Sequence, residues 1–228
     1  MVKYDATVES DAFGVVDQLR QDGINIAHLD IVVANAGIAK YYPFVKDVKR
    51  AQIQEHLDVN VFGVVALYQA TRELLRKSPR TEGDGKKKPV FVPVGSSAGT
   101  LGYVVTRSVP TTPRHPKVPY QYDLLKKKQK KNRRQLDIPN AAYGPTKTML
   151  NWYGVRINAE DDWLNAFVLD PGFVQTDMGN EAASFFGMEQ ATLTVDESAD
   201  GMFRVITTGT KEDFGGRLVF YTGEVLAW

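Results

Sequence analysis

The chain has 228 residues, 43% of them apolar, with 28 Lys and Arg against 27 Asp and Glu and no cysteine. That is enough apolar material for one sizeable core, hence one domain, and it excludes disulfides, thiolate metal sites and a cysteine nucleophile. The three histidines, His28, His56 and His115, stand apart without a carboxylate at ligand spacing, so no metal is expected. The polar start MVKYDATVESDAF is not a signal peptide, and no apolar run approaches the roughly 18 residues that a membrane span needs; a soluble, cytoplasmic protein with no membrane contact is expected.

In chain order, residues 9–22 show helical apolar spacing after a Ser/Asp cap and stop at Gly23. LDIVVANAG (29–37) reads as a buried strand that delivers a tight turn at its C-terminal end. A long amphipathic helix follows over 51–76, then a loop at 81–89. PVFVPVGSSAG (89–99) is a second buried strand opening into a Ser/Gly turn. Residues 141–160 form another helix, and LNAFVLDPG (164–172) a third strand ending in Pro-Gly. Beyond it lie helical segments at 177–190 and 194–209 and a last strand in GGRLVFYTGEVLAW. Alternating strands and helices imply an α/β fold, with a parallel sheet covered on both faces and ligands at the C-terminal strand ends. NAG, GSSAG and DPG all fall at such ends.

The segment 103–137 breaks this rhythm. Pro110, Pro113, Pro116 and Pro119 are followed by KKKQKKNRR, and from Arg107 to Arg134 ten Lys/Arg face one acid, Asp123. The net charge of the chain is +1, so that window at +9 leaves −8 for the remainder. Neither half carries a core-facing period, and an exposed, disordered loop is expected.

Tyr143 and Lys147, four apart on a helix, share a face. An ammonium beside a phenol lowers the phenol pKa, so such a Tyr can give a proton to a carbonyl oxygen or take one from an alcohol. Alone, the spacing is equally a solvated helix face. Ser96 is a hydroxyl that could hold a substrate oxygen, or only a turn serine. Asn60 sits mid-helix, where Asn is unfavourable without a bend or a buried partner. Asn35-Ala36-Gly37 and Pro171-Gly172 could be turns, and Asp170 a loop acid.

Together, VANAG (33–37), DVNVFG (58–63), GSSAG (95–99), YGPTK (143–147) and PGFVQT (171–176) resemble the short-chain dehydrogenases/reductases, from about Tyr4 to Trp228 apart from 103–137. TDMGNEAASFFGMEQATLTVDESADGM and RLVFYTGEVLAW narrow the likeness to the fungal norsolorinic-acid-ketoreductase-like branch and the sniffer-like carbonyl reductases. The resemblance implies a Rossmann-like, doubly wound, three-layer α/β/α fold. It also implies an NAD(P)(H)-dependent oxidoreductase that reduces a ketone or aldehyde, or oxidises the alcohol, in fungal secondary metabolism. Tyr143 would be the acid/base, Lys147 would lower its pKa and bind the nicotinamide ribose, and Ser96, with Ser97 as rival, would position the carbonyl. Asn60 would hold a relay water. Asn35, Ala36 and Gly37 would line the adenosine half, and Asp5 would meet the adenine. Pro171, Gly172, Val174 and Thr176 would wrap the nicotinamide. NADP(H) is expected over NAD(H), and a homodimer or homotetramer through helices 51–76 and 141–160.

Two departures stand out. The family opens with a strand, a Gly-rich turn and a helix that holds the pyrophosphate. No G-x-x-x-G-x-G occurs here, and the chain begins at what would be the third strand. A domain truncated at its N-terminus, without the first two strands and the Gly-rich loop, is therefore expected, with the NAG strand left as an open edge. The basic window also separates Ser96 from Tyr143 far more than the family does. Excising it joins SSAGTLG to IPNAAYGPTK, which reads as ordinary family sequence. Translated intron with a mis-set first exon would explain both departures; a lid or a basic nucleic-acid patch is the rival reading of the window, the latter lacking aromatics for base stacking. A catalytically impaired binding or scaffold protein is the alternative function.

Overall fold

The computed structural model describes residues 2–21, 26–81, 87–101 and 139–228; the basic segment 103–137 lies outside the described residues. The sheet is built from β1 (Ile31–Ala34), β2 (Val90–Pro93), β3 (Asn165–Ala166), β4 (Val168–Asp170), β5 (Leu218–Phe220) and β6 (Val225–Leu226). β1 pairs parallel with β2, from Ile31 opposite Val90 to Ala34 opposite Pro93, and β2 pairs parallel with β3. β4 pairs parallel with β5, and β6 returns antiparallel. A parallel bridge between Val94 and Leu169 ties the two halves into one surface. Among the described residues β1 has a strand on one side only, and its Val33 is 40% exposed.

The sequence predicts one strand over 164–172, and the structure interrupts it at Phe167. The reason lies across the ladder. Gly95 N–H donates to the Leu169 carbonyl at 2.8 Å. Two residues earlier in this parallel register the donor to Phe167 would be the nitrogen of Pro93, which carries no proton. The expected last strand is likewise divided, turning back through Gly223 at φ 93°, a conformation suited to glycine.

Helices cover both faces because the strand side chains alternate. Phe91 and Ala166 pack with Val64, Leu75, Leu150 and Ile157 on one face, under α3 (Gly63–Arg76) and α4 (Tyr143–Glu160). Val90, Val92, Phe167, Leu169 and Val219 meet Val205 on the other, under α6 (Val195–Thr208). Thr194 and Glu197 cap α6 reciprocally. α1 (Glu9–Arg20) packs Ala12 and Val16 against Ala66, Ala70 and Leu74 of α3. It starts without the expected Ser/Asp cap; Val8 holds the cap position and makes no side-chain bond there. The remaining helices are α2 (Arg50–Leu57), α5 (Asp177–Phe185) and α7 (Lys211–Phe214). No described helix is long and apolar enough to cross a membrane.

The predicted helix 51–76 is not continuous. A π-helical turn, Asp58–Phe62, separates α2 from α3 and is centred on Asn60. At the far end of α4, Asp161 is 3% exposed and accepts bonds from the Tyr68 hydroxyl, from Arg72 at 2.9 and 2.6 Å, and from Trp163 Nε1 at 3.1 Å. Burial pushes this carboxyl up, but the bonds from Arg72 and Tyr68 outweigh it and hold it below its ordinary range. A carboxylate so depressed stabilises the fold above the unfolded pKa and loses that contribution as pH falls through the folded one. Since Arg72 is itself partly exposed, Asp161→Asn is expected to cost about 2 kcal/mol at pH 7. The deficit should shrink below about pH 4. Urea midpoints of both proteins at pH 7 and pH 3 check this; a deficit independent of pH would contradict it.

Candidate active site

Most of the predicted site residues are delivered by the C-terminal ends of β1, β2 and β4 and by the first turns of α4, with Asn60 on the π-turn and Asp5 ahead of α1. Lys147 is buried, at 4% exposure. Its Nζ donates to the Val94 carbonyl at 2.7 Å and lies 5.6 Å from the centre of the Tyr143 ring. Burial lowers the amine from 10.5 to about 8, with the Asp170 charge pulling the other way. Tyr143, at the first position of α4, is half-buried, so its ring is reachable from solvent while its lysine is not.

Asn60 explains its mid-helix position by what it ties together. Its Oδ1 accepts Ile38 N–H at 2.8 Å, and its Nδ2 donates to the Ile38 carbonyl and the Thr146 hydroxyl, each at 3.0 Å. Thr146 in turn donates to the Tyr143 carbonyl at 2.7 Å. The amide therefore cross-links the NAG turn, the π-turn and the start of α4, a fully satisfied buried network. Gly37 faces the same point: a Cβ there would stand 3.4 Å from Asn60 Oδ1 and 3.6 Å from Lys147 Nζ. A glycine keeps open the space between the amide and the amine.

The Ser turn is pressed onto α4. A Cβ at Gly99 would fall 2.4 Å from the Lys147 carbonyl carbon, and Thr148 Oγ1 donates to the Gly99 carbonyl at 2.7 Å. Ser96 Oγ accepts Ala98 N–H at 3.1 Å, a bond that leaves its own proton to give. The Ser97 backbone N–H donates to Asp170 Oδ2 at 2.7 Å. Asp170 Oδ1 accepts Gly172 N–H at 2.9 Å, so this acid joins the Ser turn to the Pro-Gly turn.

Other predicted residues stand further from this centre. Asp5 is exposed, with its carboxylate bonded to Thr7 N–H and Oγ1 at 2.9 and 2.7 Å. Asn35 and Ala36 are exposed at the end of β1. Pro171 accepts the Ser198 hydroxyl on its carbonyl at 2.8 Å, and Gly172 adopts φ 81°. Val174 bridges to Leu193, and Thr176 caps α5 by accepting Gly179 N–H at 3.2 Å.

Sequence reasoning missed three participants. Thr146 lies inside YGPTK, between Tyr143 and Lys147. Asn151 lies four residues beyond Lys147 on the same helix face, a spacing that could have flagged it; its buried amide has no partner among the described residues. His56, 0% exposed, accepts Lys40 N–H on Nε2 at 3.1 Å and has Nδ1 2.7 Å from the Gln52 carbonyl. With Asn60 it anchors the loop 38–43, whose Pro43 carbonyl accepts Ala141 N–H two residues before Tyr143. A cleft of about 380 Å³ opens beside that loop, lined by Tyr41, Tyr42, Pro43, Gln52 and Phe185.

With this geometry in hand, the comparisons with known proteins are consistent. The short chain dehydrogenase family profile matches residues 1–108. A norsolorinic acid ketoreductase of Dothistroma septosporum is 33% identical over 229 residues, covering 100% of this chain and 72% of its own. Its counterpart in Aspergillus parasiticus is 31% identical, covering 100% and 71%. In structure, the chain is similar to the carbonyl reductase Sniffer of D. melanogaster (TM-score 0.74, 20% identity, 100% of this chain and 77% of that one). It is also similar to the NADPH-bound carbonyl reductase from chicken fatty liver (TM-score 0.72, 21% identity, 100% and 76%). The chain belongs to the short-chain dehydrogenases/reductases, a family of oxidoreductase enzymes.

Burying an amine whose pKa falls from 10.5 to about 8 costs about 3 kcal/mol at neutral pH. Between those pH values the unfolded chain binds more protons, so this cost fades as pH rises. Relative to wild type, Lys147→Met should therefore be favoured by about 3 kcal/mol more at pH 7 than at pH 10.5. Urea unfolding at both pH values measures the difference, and a constant gap would refute the buried charged amine.

Proposed function

We propose that the protein is a ketoreductase that uses a nicotinamide cofactor, with Tyr143 as its acid. The carrying observation is the enclosed Lys147 ammonium beside the Tyr143 ring, where a positive charge favours the phenolate and so eases proton release. A bound nicotinamide supplies or accepts the hydride. The residues suit the nicotinamide end of such a cofactor: Tyr143 and Lys147 offer a hydroxyl and an ammonium to the ribose, and the bare Gly37 leaves room that a side chain would fill.

In this reading Ser96 donates a hydrogen bond to the substrate carbonyl, and Tyr143 gives the proton to that oxygen. Lys147 holds the phenol at a useful pKa, and Asn60 supports a relay water through the π-turn. Asn35, Ala36 and Asp5 serve the adenosine half, and Pro171, Gly172, Val174 and Thr176 the nicotinamide. NADP(H) is preferred over NAD(H), in keeping with the NADPH-bound avian relative. The relatives named norsolorinic acid ketoreductases support a fungal polyketide ketone as substrate, entering beside Tyr42 and Phe185. The reading includes a cytoplasmic enzyme that pairs as a homodimer through α2–α3 and α4, where Phe62, Met149 and Trp152 are exposed.

Titration with NADPH and NADH, followed by tryptophan quenching and nicotinamide emission, tests it. Micromolar saturable binding is expected, tighter for NADPH. Tyr143→Phe should keep that binding and lose ketone reduction by about a thousandfold, within the range for a general acid. Emission unchanged at millimolar cofactor would replace this reading with that of a non-catalytic binding protein.

A further inference from the structure

Asp170 is as enclosed as Lys147, 3% exposed at the C-terminal end of β4. Its neighbours are donors. Ser97 N–H reaches Oδ2 at 2.7 Å, Gly172 N–H reaches Oδ1 at 2.9 Å, and the Ser97 side chain bonds to it as well. An amide in this place could accept one N–H on its oxygen but would turn its own NH2 toward the other. A protonated carboxyl would offer one of the two N–H groups only the weaker acceptor of its hydroxyl oxygen. Two convergent backbone N–H groups therefore select an ionised carboxylate.

Burial pushes this carboxyl up, against the pull of the Gly172 and Ser97 bonds and of Lys147. From α4 it is faced by Lys147 and from the turn after β2 by Ser97, while its main-chain carbonyl accepts Tyr221 N–H from the end of β5 at 2.9 Å. Lys147 is the cation that acts on it, and the attraction is mutual. The Lys147 amine spends one bond on the Val94 carbonyl, a neutral acceptor that cannot offset its charge.

We propose that Asp170 is a positioning residue that, as an ionised carboxylate, clasps the Ser96–Ser97 turn to the Pro171–Gly172 turn and serves as counter-ion to Lys147. It keeps the amine charged beside Tyr143 and fixes the spacing between the carbonyl-polarising hydroxyl and the Pro-Gly turn. The proposal rests on the reading of Lys147 as the amine of the site, but its test reads the amine directly and needs no turnover.

The experiment is an NMR titration of the lysine ε-methylene signals in the full chain without cofactor. Lys147 is assigned by its loss in Lys147→Met, and wild type is compared with Asp170→Asn. Loss of a nearby negative charge in a buried site is expected to lower the Lys147 midpoint by about one pH unit. That is about a tenfold rise in the ratio of neutral to charged amine at pH 7. A folded Asp170→Asn, judged by circular dichroism, with an unmoved midpoint overturns the proposal. If that variant does not fold, the Asp170 carboxyl carbon shift in wild type decides. A carboxylate at pH 7 that protonates more readily in Lys147→Met supports the clasp. A carboxyl protonated at pH 7, or indifferent to Lys147→Met, overturns it. Wild-type inactivity with the expected lysine shift would fault only the ketoreductase reading.

Discussion

A buried ammonium sets the terms for one end of this molecule. Removing a charge from water is costly unless fixed dipoles and an opposite charge replace the solvent. Lys147 finds them in the Val94 carbonyl, the Tyr143 ring and the Asp170 carboxylate. Each comes from a different segment, so the end of β2, the start of α4 and the turn after β4 must all be in place together. An amine held this way is a poor contributor to stability, and its charge favours the phenolate of a tyrosine beside it.

Close approach makes that convergence achievable. A Cβ at Gly95 would fall 2.1 Å from Val168 Cγ1, and one at Gly154 would fall 2.2 Å from Val168 Cγ2. With Gly99 against the backbone of Lys147, these positions let α4 lie directly on the sheet and on the Ser turn. The π-turn acts in the same sense from the other side. The irregular turn at Asp58–Phe62 carries Asn60, which is then spent on Ile38 and Thr146.

The opposite end of α4 is anchored just as firmly. Lys211 Nζ donates to the carbonyls of Asn158, Asp161 and Leu164 and to Asn158 Oδ1, satisfying carbonyl groups at and just beyond the end of the helix. Asp161 adds its bonds to Arg72, Tyr68 and Trp163 beside it. A helix fixed at both ends keeps Tyr143 and Lys147 in register with the strand ends, the kind of preorganisation on which positioning depends.

Much of this was legible without coordinates. Alternating apolar runs and capped helices define an α/β chain, and NAG, GSSAG and DPG fall at strand ends because parallel strands deliver their polar turns there. Tyr143 and Lys147 declare themselves by a four-residue spacing, since that spacing shares a helix face whatever the tertiary context. The tertiary structure alone decided the rest. The strand over 164–172 breaks at Phe167 because a proline on its neighbour lacks a proton, which only the register reveals. Asp170 reads as a loop acid before Pro-Gly until two N–H groups from separate turns are seen to converge on it. Asn60 and Thr146 are 86 residues apart, and their bond exists only because the fold closes that distance. Local periodicity is written in neighbouring residues; partnership across the chain is written in packing.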